Sequence, residues 1–448
     1  MAGEWTTASL GELCEFRSGS AFKPVFQGQS SGRYPFVKVS DMNLAANAVR
    51  IQDARNWVSE DDLRGLRARP LPPGSVVFAK IGEALRQNRL RQVVRATVVD
   101  NNIMGAAPNS DRIDPLFFYY ALSRFDFSTI AQGTALPYLT VSALSKLTID
   151  VPPVSEQRAI AHILGALDDK IESNRRMSDT LEAMARALFR SWFVDFDPVR
   201  AKVEGRDPGL PRSLADLFPD RLVDSELGEV PTGWYWTSLH GLLEELETGG
   251  RPKGGVSGYL EGVPSIGAES IVGLGVFDYS KTRYVPHDFF RALTKGRAKN
   301  RDVLLYKDGG RPGEFEPHVA MFGDGFPFAE FAINEHVYRV RAVPELGQNW
   351  LFFWLSSGTV MEEMRIKGTG VAIPGLNSTQ VKSLTALVPT EGVARAFDAF
   401  VEPIVARVLS NSKTGQMLDS IRDTLLPKLI SGGLRVPRPD RMLAAAPA

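Results

Sequence analysis

The sequence predicts an α+β protein in which two duplicated mixed α/β units are separated by two long helices that form an intramolecular antiparallel coiled coil. Two stretches carry apolar residues on alternating 3- and 4-residue steps, the period of a helix that packs against a partner helix. The two stretches are copies, since Asn174 recurs as Asn411 at an offset of 237 residues and its neighbours keep that offset. The regions before them repeat the same order of short strands and aromatic segments, so the chain is an internal duplication.

The apolar positions of the two long helices, which we call the helix seam, define the faces expected to be buried. They are Ile160, Leu164, Leu167, Ile171, Asn174, Leu181 and Leu188 in the first helix, and Phe397, Val401, Ile404, Val408, Asn411, Leu418 and Leu425 in the second. Ser155 is the expected N-cap of the first helix, and a continuous segment 155–192 would be about 57 Å long. Pro403 and Pro427 predict a second helix that is kinked or starts late, because proline lacks the N–H of the helical hydrogen bond.

Asn174 and Asn411 occupy the same seam position in the two helices, and two interpretations of them stand. In the first interpretation, each asparagine is a polar interruption of an apolar stripe that is tolerated near solvent. A buried polar pair would instead fix the register of the two helices at some cost in stability.

Six segments follow from the duplication and from the proline-rich stretches. The two mixed units are expected at 1–152 and 231–388, the helices at 153–194 and 389–432, a connector at 195–230 and a disordered tail at 433–448. Within the first unit, alternation of apolar residues predicts strands over 34–41, 75–80 and 93–99.

Composition restricts the function classes. The chain has 448 residues, with Lys plus Arg equal to Asp plus Glu at 52 each, so any electrostatic footprint for nucleic acid must be local. Cys14 is the only cysteine, which excludes an intrachain disulfide and a cysteine-rich zinc site. The apolar runs are too short to span a bilayer and the start does not resemble a signal peptide, so we expect a cytoplasmic protein without membrane contact.

Catalytic signatures are missing from the sequence. There is no Gly-Lys-Ser/Thr phosphate loop, and the isolated glycine pattern at 322–326 is interpreted as a turn. Asp168-Asp169-Lys170 has the acid-x-Lys spacing of a nuclease but no partner acid, so a solvated helix face is the expected role. The histidines lack metal-ligand spacing. The missing signatures therefore favour a non-catalytic protein over a self-sufficient methyltransferase or nuclease. A pure interaction scaffold is the third hypothesis, and a surface that binds nucleic acid would distinguish the favoured protein from it.

Two basic stretches lie at equivalent places in the two units. Residues 64–95 hold eight basic residues against one acid, and residues 281–311 hold nine against three. One such run is usually a solvated face, but two at equivalent places favour a surface that contacts phosphate. Segment 86–89 adds side chains suited to purine edges. The candidate DNA-contacting residues are Lys38, Ser40, Lys80, Arg86, Gln87, Asn88, Arg89, Tyr138, Arg283, Lys307, Arg311 and Asn377.

Three motifs resemble the specificity (S) subunit of type I restriction-modification enzymes. They are Pro-Pro-Val-Ser-Glu-Gln-Arg-Ala-Ile at 152–160, Leu-Gly-Ala-Leu-Asp-Asp-Lys-Ile-Glu-Ser-Asn at 164–174 and Trp-Phe-Val-Asp-Phe-Asp-Pro-Val at 192–199. Pro-Thr-Gly-Trp at 231–234 resembles the family's entry into the second unit. The second copy departs from the pattern, since Gly392-Val393 replaces the Glu-Gln pair.

The resemblance implies two target recognition domains, each binding one half of a split site in double-stranded DNA. It implies that the helices act as a spacer and dock two methylation (M) subunits, and that restriction (R) subunits join through the complex. No cofactor is expected on this chain, since S-adenosylmethionine, ATP and Mg would be bound by the partner subunits.

Overall fold

The computed structural model describes residues 4–133, 135–311, 313–369 and 374–437, except for the side chain of Ala45. It divides into two compact units, unit 1 (Met1–Glu172 with Met417–Ala448) and unit 2 (Ser173–Gln416). The boundary falls inside both long helices, which the sequence analysis had treated as separate segments. The predicted disordered tail lies outside the described residues from 438 onward.

The described part of unit 1 contains ten strands in three sheets. The strands are β1 (Thr6–Ser9), β2 (Cys14–Ser18), β3 (Tyr34–Val37), β4 (Arg50–Ile51), β5 (Asn56–Val58), β6 (Val76–Ala79), β7 (Leu90–Val93), β8 (Val98–Val99), β9 (Ile103–Pro108) and β10 (Thr148–Val151). The sheet orders are β2-β9-β6-β7-β4, β5-β3-β8 and β1-β10. The pairs β4–β7 and β3–β8 are parallel, and the others are antiparallel.

The helices of unit 1 close its core against these sheets. They are α1 (Leu10–Leu13), α2 (Glu60–Leu66), α3 (Glu83–Arg86), α4 (Pro115–Ser123), α5 (Val141–Ser145) and the first part of α6 (Val154–Phe193), with 3-10 turns at Pro24–Phe26, Val39–Asn43, Ala45–Asn47 and Phe127–Ile130. Asp114 caps α4 by accepting from the N–H groups of Leu116 and Phe117. The buried aromatics of α4 then pack in one cluster with Ile160 and Leu164 of α6.

Within its described residues, unit 2 has eleven strands in four sheets. They are β11 (Leu222–Val223), β12 (Val230–Pro231), β13 (Tyr235–Ser238), β14 (Leu243–Thr248), β15 (Val263–Ile266), β16 (Arg283–Val285), β17 (Val303–Tyr306), β18 (Val319–Met321), β19 (Ala332–Ile333), β20 (Val337–Ala342) and β21 (Thr385–Val388). The sheet orders are β14-β20-β17-β18, β16-β15-β19, β13-β21 and β11-β12.

The helices of unit 2 include the rest of α6 and most of a second long helix. They are α7 (Asp197–Val203), α8 (Arg212–Ala215), α9 (His287–Ala292), α10 (Gln348–Leu355), α11 (Gly358–Gly368), α12 (Ser378–Lys382) and α13 (Glu391–Ile430), with 3-10 turns at Leu239–Leu242, Ala268–Ser270 and Tyr279–Lys281. The last part of α13 belongs to unit 1.

The predicted duplication is present in the sheet topology. The order β2-β9-β6-β7 in unit 1 matches β14-β20-β17-β18 in unit 2, and β5-β3-β8 matches β16-β15-β19. In each unit the first strand pairs antiparallel with the strand that precedes the long helix, as β1 with β10 and β13 with β21. The helix therefore leaves each unit from an equivalent position.

The two long helices pack together and run antiparallel within each unit. In unit 2, Phe193 contacts Phe397, with ring centroids 5.0 Å apart, and Asn411 hydrogen-bonds to the carbonyl of Asn174 further along. In unit 1, Asp168 contacts Arg422. Descending residue numbers on α6 thus meet ascending numbers on α13 in both units, which is the predicted antiparallel arrangement.

Burial along the helix seam varies with position. Fully buried seam residues are Ile160, Leu164, Asn174, Phe397, Val401, Val408 and Asn411. Partly buried seam residues are Leu167, Ile171, Leu181, Leu188, Ile404, Leu418 and Leu425.

Two of the predicted strands differ from expectation. The strand predicted over 34–41 ends at Val37, because the carboxylate of Asp41 accepts from the N–H of Lys38 at 2.8 Å and starts a 3-10 turn. The single strand predicted over 93–99 is wrong. It is two strands, β7 and β8, which belong to different sheets, because a turn closed by the Thr97 hydroxyl on the Arg95 carbonyl lies between them.

The ends of the long helices also differ from expectation. Helix α6 begins at Val154, one residue before the expected start, because the carbonyl of Pro153 accepts from the N–H of Gln157. Helix α13 does not start late: it begins at Glu391 and has 40 residues, like α6. Pro403 is exposed, so water can satisfy the carbonyl that its missing N–H leaves without a partner.

The connector predicted over 195–230 is an ordered part of unit 2. It contains α7, α8 and β11, and it ends at β12. Phe196, Val199 and Phe218 are buried in the main core of the unit, where the ring of Trp192 meets Phe218 edge-on at 4.9 Å.

Candidate DNA interface

Lys80 directly follows the interior strand β6 of unit 1, and its backbone is hydrogen-bonded to two loops. The N–H of Lys80 donates to the carbonyl of Asn102 at 2.9 Å, and its own carbonyl accepts from the N–H of Leu139 at 2.9 Å. Its ammonium donates to the Ser18 hydroxyl at 3.1 Å. Tyr138 forms a β-bridge with residue 81, and 42% of its surface is exposed. We call Lys80 with segments 100–102 and 137–139 the lysine junction of unit 1.

Unit 2 contains an equivalent lysine junction, formed by Lys307 with segments 334–336 and 374–376. The N–H of Lys307 donates to the carbonyl of His336 at 3.0 Å, and its carbonyl accepts from the N–H of Leu376 at 2.7 Å. Its ammonium donates to the carbonyl of Glu335 at 3.1 Å and lies 3.3 Å from the carboxylate of Asp308. The backbone frame is thus the same as in unit 1, while the groups around the ammonium differ.

Two further candidates of unit 1 follow strand β3. The Lys38 ammonium donates to the side-chain oxygen of Gln27 at 3.1 Å, and Ser40 is exposed in the next turn. The N–H of Asp100, in the lysine junction, donates to the carbonyl of Val37 at 2.9 Å. The backbone therefore places Lys38 beside the junction of Lys80.

The predicted basic segment of unit 1 lies on the surface at α3 and just after it. Arg86, Gln87 and Arg89 are exposed. Arg86 pairs with Glu83 at 3.1 Å, an exposed ion pair of the kind that is weak in water. Arg89 hydrogen-bonds to Asn43 in the turn that follows Lys38. Segment 86–89 thus joins the same surface, with guanidinium groups that can exchange partners.

Asn88 has a different role from its neighbours. Its backbone is left-handed, with φ of 46°, a conformation that asparagine adopts more readily than most residues. Its amide donates to the carbonyl of Phe125 at 2.7 Å and accepts from the N–H of Phe127 at 3.1 Å. The amide is bound to the protein's own backbone, which argues against the predicted contact with DNA.

Asn377 likewise serves the local fold. It is the N-cap of α12, where its side chain accepts from the N–H of Gln380 at 2.9 Å and the Gln380 side chain accepts from its N–H. Thr140, at the equivalent position of unit 1, caps α5 in the same way. The asparagine at position 377 is explained by helix capping.

Arg283 is exposed on the edge strand β16.

A cleft of about 760 Å³ opens beside the lysine junction of unit 2, with Arg311 among its exposed lining residues. The imidazole of His336 hydrogen-bonds to Asp308 in its wall. Other side chains of the lining are Glu269, Tyr306, Glu314, Glu316 and His318. Guanidinium donors, carboxylate acceptors and an aromatic ring are groups that can contact base edges.

Several residues of this cleft are not among the candidates predicted from the sequence. Glu269, His318 and His336 come from three segments that are distant in the chain. No local motif links them, so only the tertiary fold brings them together.

The basic stretches offer less free charge than their composition indicates. Arg91 is largely buried, and burial lowers the pKa of its guanidinium. Arg301 is 12% exposed and pairs with Glu402 at 2.7 Å, and Arg297 donates to the carbonyl of Phe290 at 3.1 Å. These three cations stabilise the fold, which leaves the lysine junctions and the exposed arginines as the candidate DNA surface.

Asp168 does not lie on the solvated helix face that the sequence analysis predicted. It is 4% exposed. The hydroxyl of Tyr120 donates to its carboxylate at 2.6 Å, and the guanidinium of Arg422 donates at 2.8 Å. Burial first, and then the negative charge of Asp168, raise the pKa of Tyr120. Arg422, which breaks the apolar period of α13, is explained by this buried ion pair.

Asn174 and Asn411 are both buried, but their side chains do not form a symmetric pair. The Asn411 amide donates to the carbonyl of Asn174 at 3.4 Å and to the hydroxyl of Ser178 at 3.2 Å. A one-residue shift of either helix would remove these partners, so the contact supports the register interpretation.

Neither a membrane-spanning helix nor a metal-binding cluster is present among the residues that the structure describes. No helix there is long and apolar enough to cross a membrane. No group of three or more His, Cys, Asp or Glu side chains in those ranges is placed to hold a metal ion.

The chain is similar to known proteins along most of its length. Residues 2–183 match the family described as the type I restriction modification DNA specificity domain. The MjaIX specificity subunit of Methanocaldococcus jannaschii is 24% identical over 97% of this chain and 94% of its own. The HindI specificity subunit of Haemophilus influenzae is 24% identical over 83% of this chain and 89% of its own.

The similarity to these proteins extends to the fold. The crystal structure of a type I restriction-modification S subunit from M. genitalium superposes with a TM-score of 0.56 at 13% identity, covering 95% of this chain and 96% of that one. At this identity the likeness is one of fold alone. The chain is thus similar, along most of its length, to specificity (S) subunits of type I restriction enzymes.

Proposed function

We propose that each unit is a target recognition domain that binds one half of a bipartite sequence in double-stranded DNA. The observation that supports this is the lysine junction, which recurs in one backbone frame with different neighbours. Ser18 and Tyr138 accompany Lys80, whereas Asp308 accompanies Lys307. A common frame with different contact groups suits two modules that bind phosphate alike but recognise different base edges.

We assign the spacing of the two half-sites and the docking of two methylation subunits to α6 and α13. Met184 and Ile421 occupy the same position of the duplicated helices, and they are 56% and 44% exposed. Large apolar side chains exposed at equivalent positions suit two copies of one partner. Restriction subunits would join through that complex.

We further propose that the chain is non-catalytic and works in the cytoplasm, where the DNA is. S-adenosylmethionine would be bound by the methylation subunits, and ATP and Mg by the restriction subunits. This chain would contribute the choice of sequence and the assembly of the complex.

Mapping methylated adenines tests this function. The chain is expressed with a type I methylation subunit pair in a host that lacks such systems, and we expect adenine methylation at a split, asymmetric sequence. The chain alone should give no methylation. Methylation by the chain alone would favour a self-sufficient methyltransferase, and a contiguous methylated sequence would contradict two half-site modules.

A further inference from the structure

One loop of unit 1 is closed by two glycines that no other residue can replace without a backbone shift. It connects β2 to β3. A Cβ on Gly19 would lie 2.2 Å from the carbonyl oxygen of Val99 in β8, and a Cβ on Gly32 would lie 2.9 Å from that of Val58 in β5. Such distances are far inside van der Waals contact. The two glycines enclose 12 residues, 20–31.

The equivalent loop of unit 2, between β14 and β15, is closed in the same way. A Cβ on Gly249 would lie 1.7 Å from the carbonyl oxygen of Ile333 in β19, and a Cβ on Gly262 would lie 2.4 Å from that of Val285 in β16. These strands match β8 and β5. The enclosed segment, 250–261, again has 12 residues. We call segments 20–31 and 250–261 the glycine-closed loops.

Each glycine-closed loop is attached to its unit by apolar side chains, with Phe22 and Phe26 packed in unit 1 and Val256 in unit 2, and presents another apolar side chain to solvent. Phe26 and Val256, at the same loop position, pack on equivalent small cores. Val25 is 77% exposed and Leu260 is 92% exposed, next to Tyr259 at 39%. Among the described residues, they are the most exposed large apolar side chains of unit 1 and unit 2. A single exposed apolar side chain is common on protein surfaces, but each of these two lies on a loop that is fixed at both ends beside the candidate DNA interface.

Both loops carry positive charge and touch the candidate DNA interface. Lys23 and Lys253 are exposed at the same loop position. In unit 1, the Lys38 ammonium lies 4.9 Å from the ring centroid of Phe22 in the loop. In unit 2, Arg251 pairs at 2.6 Å with Glu335, whose carbonyl accepts from the Lys307 ammonium. Each loop is therefore continuous with the lysine junction of its unit.

We propose that the glycine-closed loops are DNA-binding fingers, which rests on the proposed recognition of DNA by both units. Lys23 and Lys253 contact the phosphate backbone at the edge of a groove. Val25 and Leu260 enter the groove and make apolar contact with the base pairs. The two loops are closed by glycines in the same way, but Val25 and Leu260 occupy different positions within them. The two fingers therefore contact bases at different places in their half-sites.

The salt dependence of binding separates the two kinds of contact. The wild-type chain in complex with its methylation subunits is titrated with a fluorescent duplex that carries the mapped methylated sequence. We expect Lys253→Ala to reduce the slope of log affinity against log salt by about 0.9, because one phosphate contact is lost. Leu260→Ser should weaken binding roughly tenfold with the slope unchanged, because an apolar contact is lost.

Leu227→Ser is the matched control, since Leu227 is also in unit 2 and 61% exposed but lies outside the loop. It should bind DNA like the wild type. Wild-type affinity and slope for both loop variants would overturn the finger proposal and leave the proposed function standing. A wild-type complex without selective binding would overturn the proposed function itself. Loss of the methylation subunits from Leu260→Ser, with DNA affinity retained, would identify the loop as a protein contact and also overturn the proposal.

Discussion

Residues of one chemical type have separate roles in this chain, and the asparagines illustrate it best. Asn88 and Asn377 have side chains that suit adenine recognition, yet both bond to backbone groups of their own unit. Lys80 and Lys307 have no such sequence signature, yet each sits where loops of its unit converge. The backbone frame decides which polar side chain is free to meet a ligand.

Replacing Asn377 tests the assignment of this residue to the fold. Asn377→Ala should lower the free energy of unfolding by about 1 kcal/mol, because the N-cap of α12 is lost. Asn377→Thr, which copies Thr140, should cost less. Chemical unfolding measures both, and DNA affinity should equal that of the wild type. An affinity loss in Asn377→Ala without loss of stability would support the original prediction of a DNA contact.

The duplicated helices differ at one buried layer. In unit 1 this layer is the polar group of Tyr120, Asp168 and Arg422. The sequence offsets place Leu355, Val405 and Ala185 at the same positions in unit 2, and all three are fully buried there. The same helix pairing therefore accommodates a charged layer in one unit and an apolar layer in the other.

The charged layer predicts that removing one of its charges destabilises unit 1 more than replacing the whole layer with apolar residues. Arg422→Ala should destabilise unit 1 by about 3–5 kcal/mol, because it leaves the Asp168 carboxylate buried without its cation. The triple variant Tyr120→Leu, Asp168→Val and Arg422→Ala, which copies unit 2, should recover most of that loss. Hydrogen exchange of the amides around Asp168 measures the effect, and the exposed Asp423→Ala should change little. Unchanged protection in Arg422→Ala would contradict the buried pair.

The long helices and their antiparallel pairing were predictable because a seam repeated at one offset leaves few alternatives. The burial of Asp168 was not, since its partner Arg422 is 254 residues away. The division of 93–99 between two sheets was equally hidden, because both halves are apolar and only the intervening turn separates them. Local pattern predicts elements, whereas long-range contacts decide where a charge is buried and where a loop is held.

At the scale of the whole molecule, the duplication gives two modules that share a frame and differ in the groups they present. The sheet orders, the lysine junctions and the glycine-closed loops all recur. The charged layer and the exposed loop side chains differ between the units. Shared features suit common tasks such as phosphate contact and helix placement, and the differing features suit separate DNA sequences.

Exchange of one unit tests this central claim most directly. Residues 1–152 are replaced by the equivalent segment of a known type I specificity subunit, and methylated adenines are mapped in cells that carry the methylation subunits. We predict that one half of the recognised sequence changes while the other half and the spacing between them stay the same. A change in both halves, or in the spacing alone, would contradict two independent recognition modules.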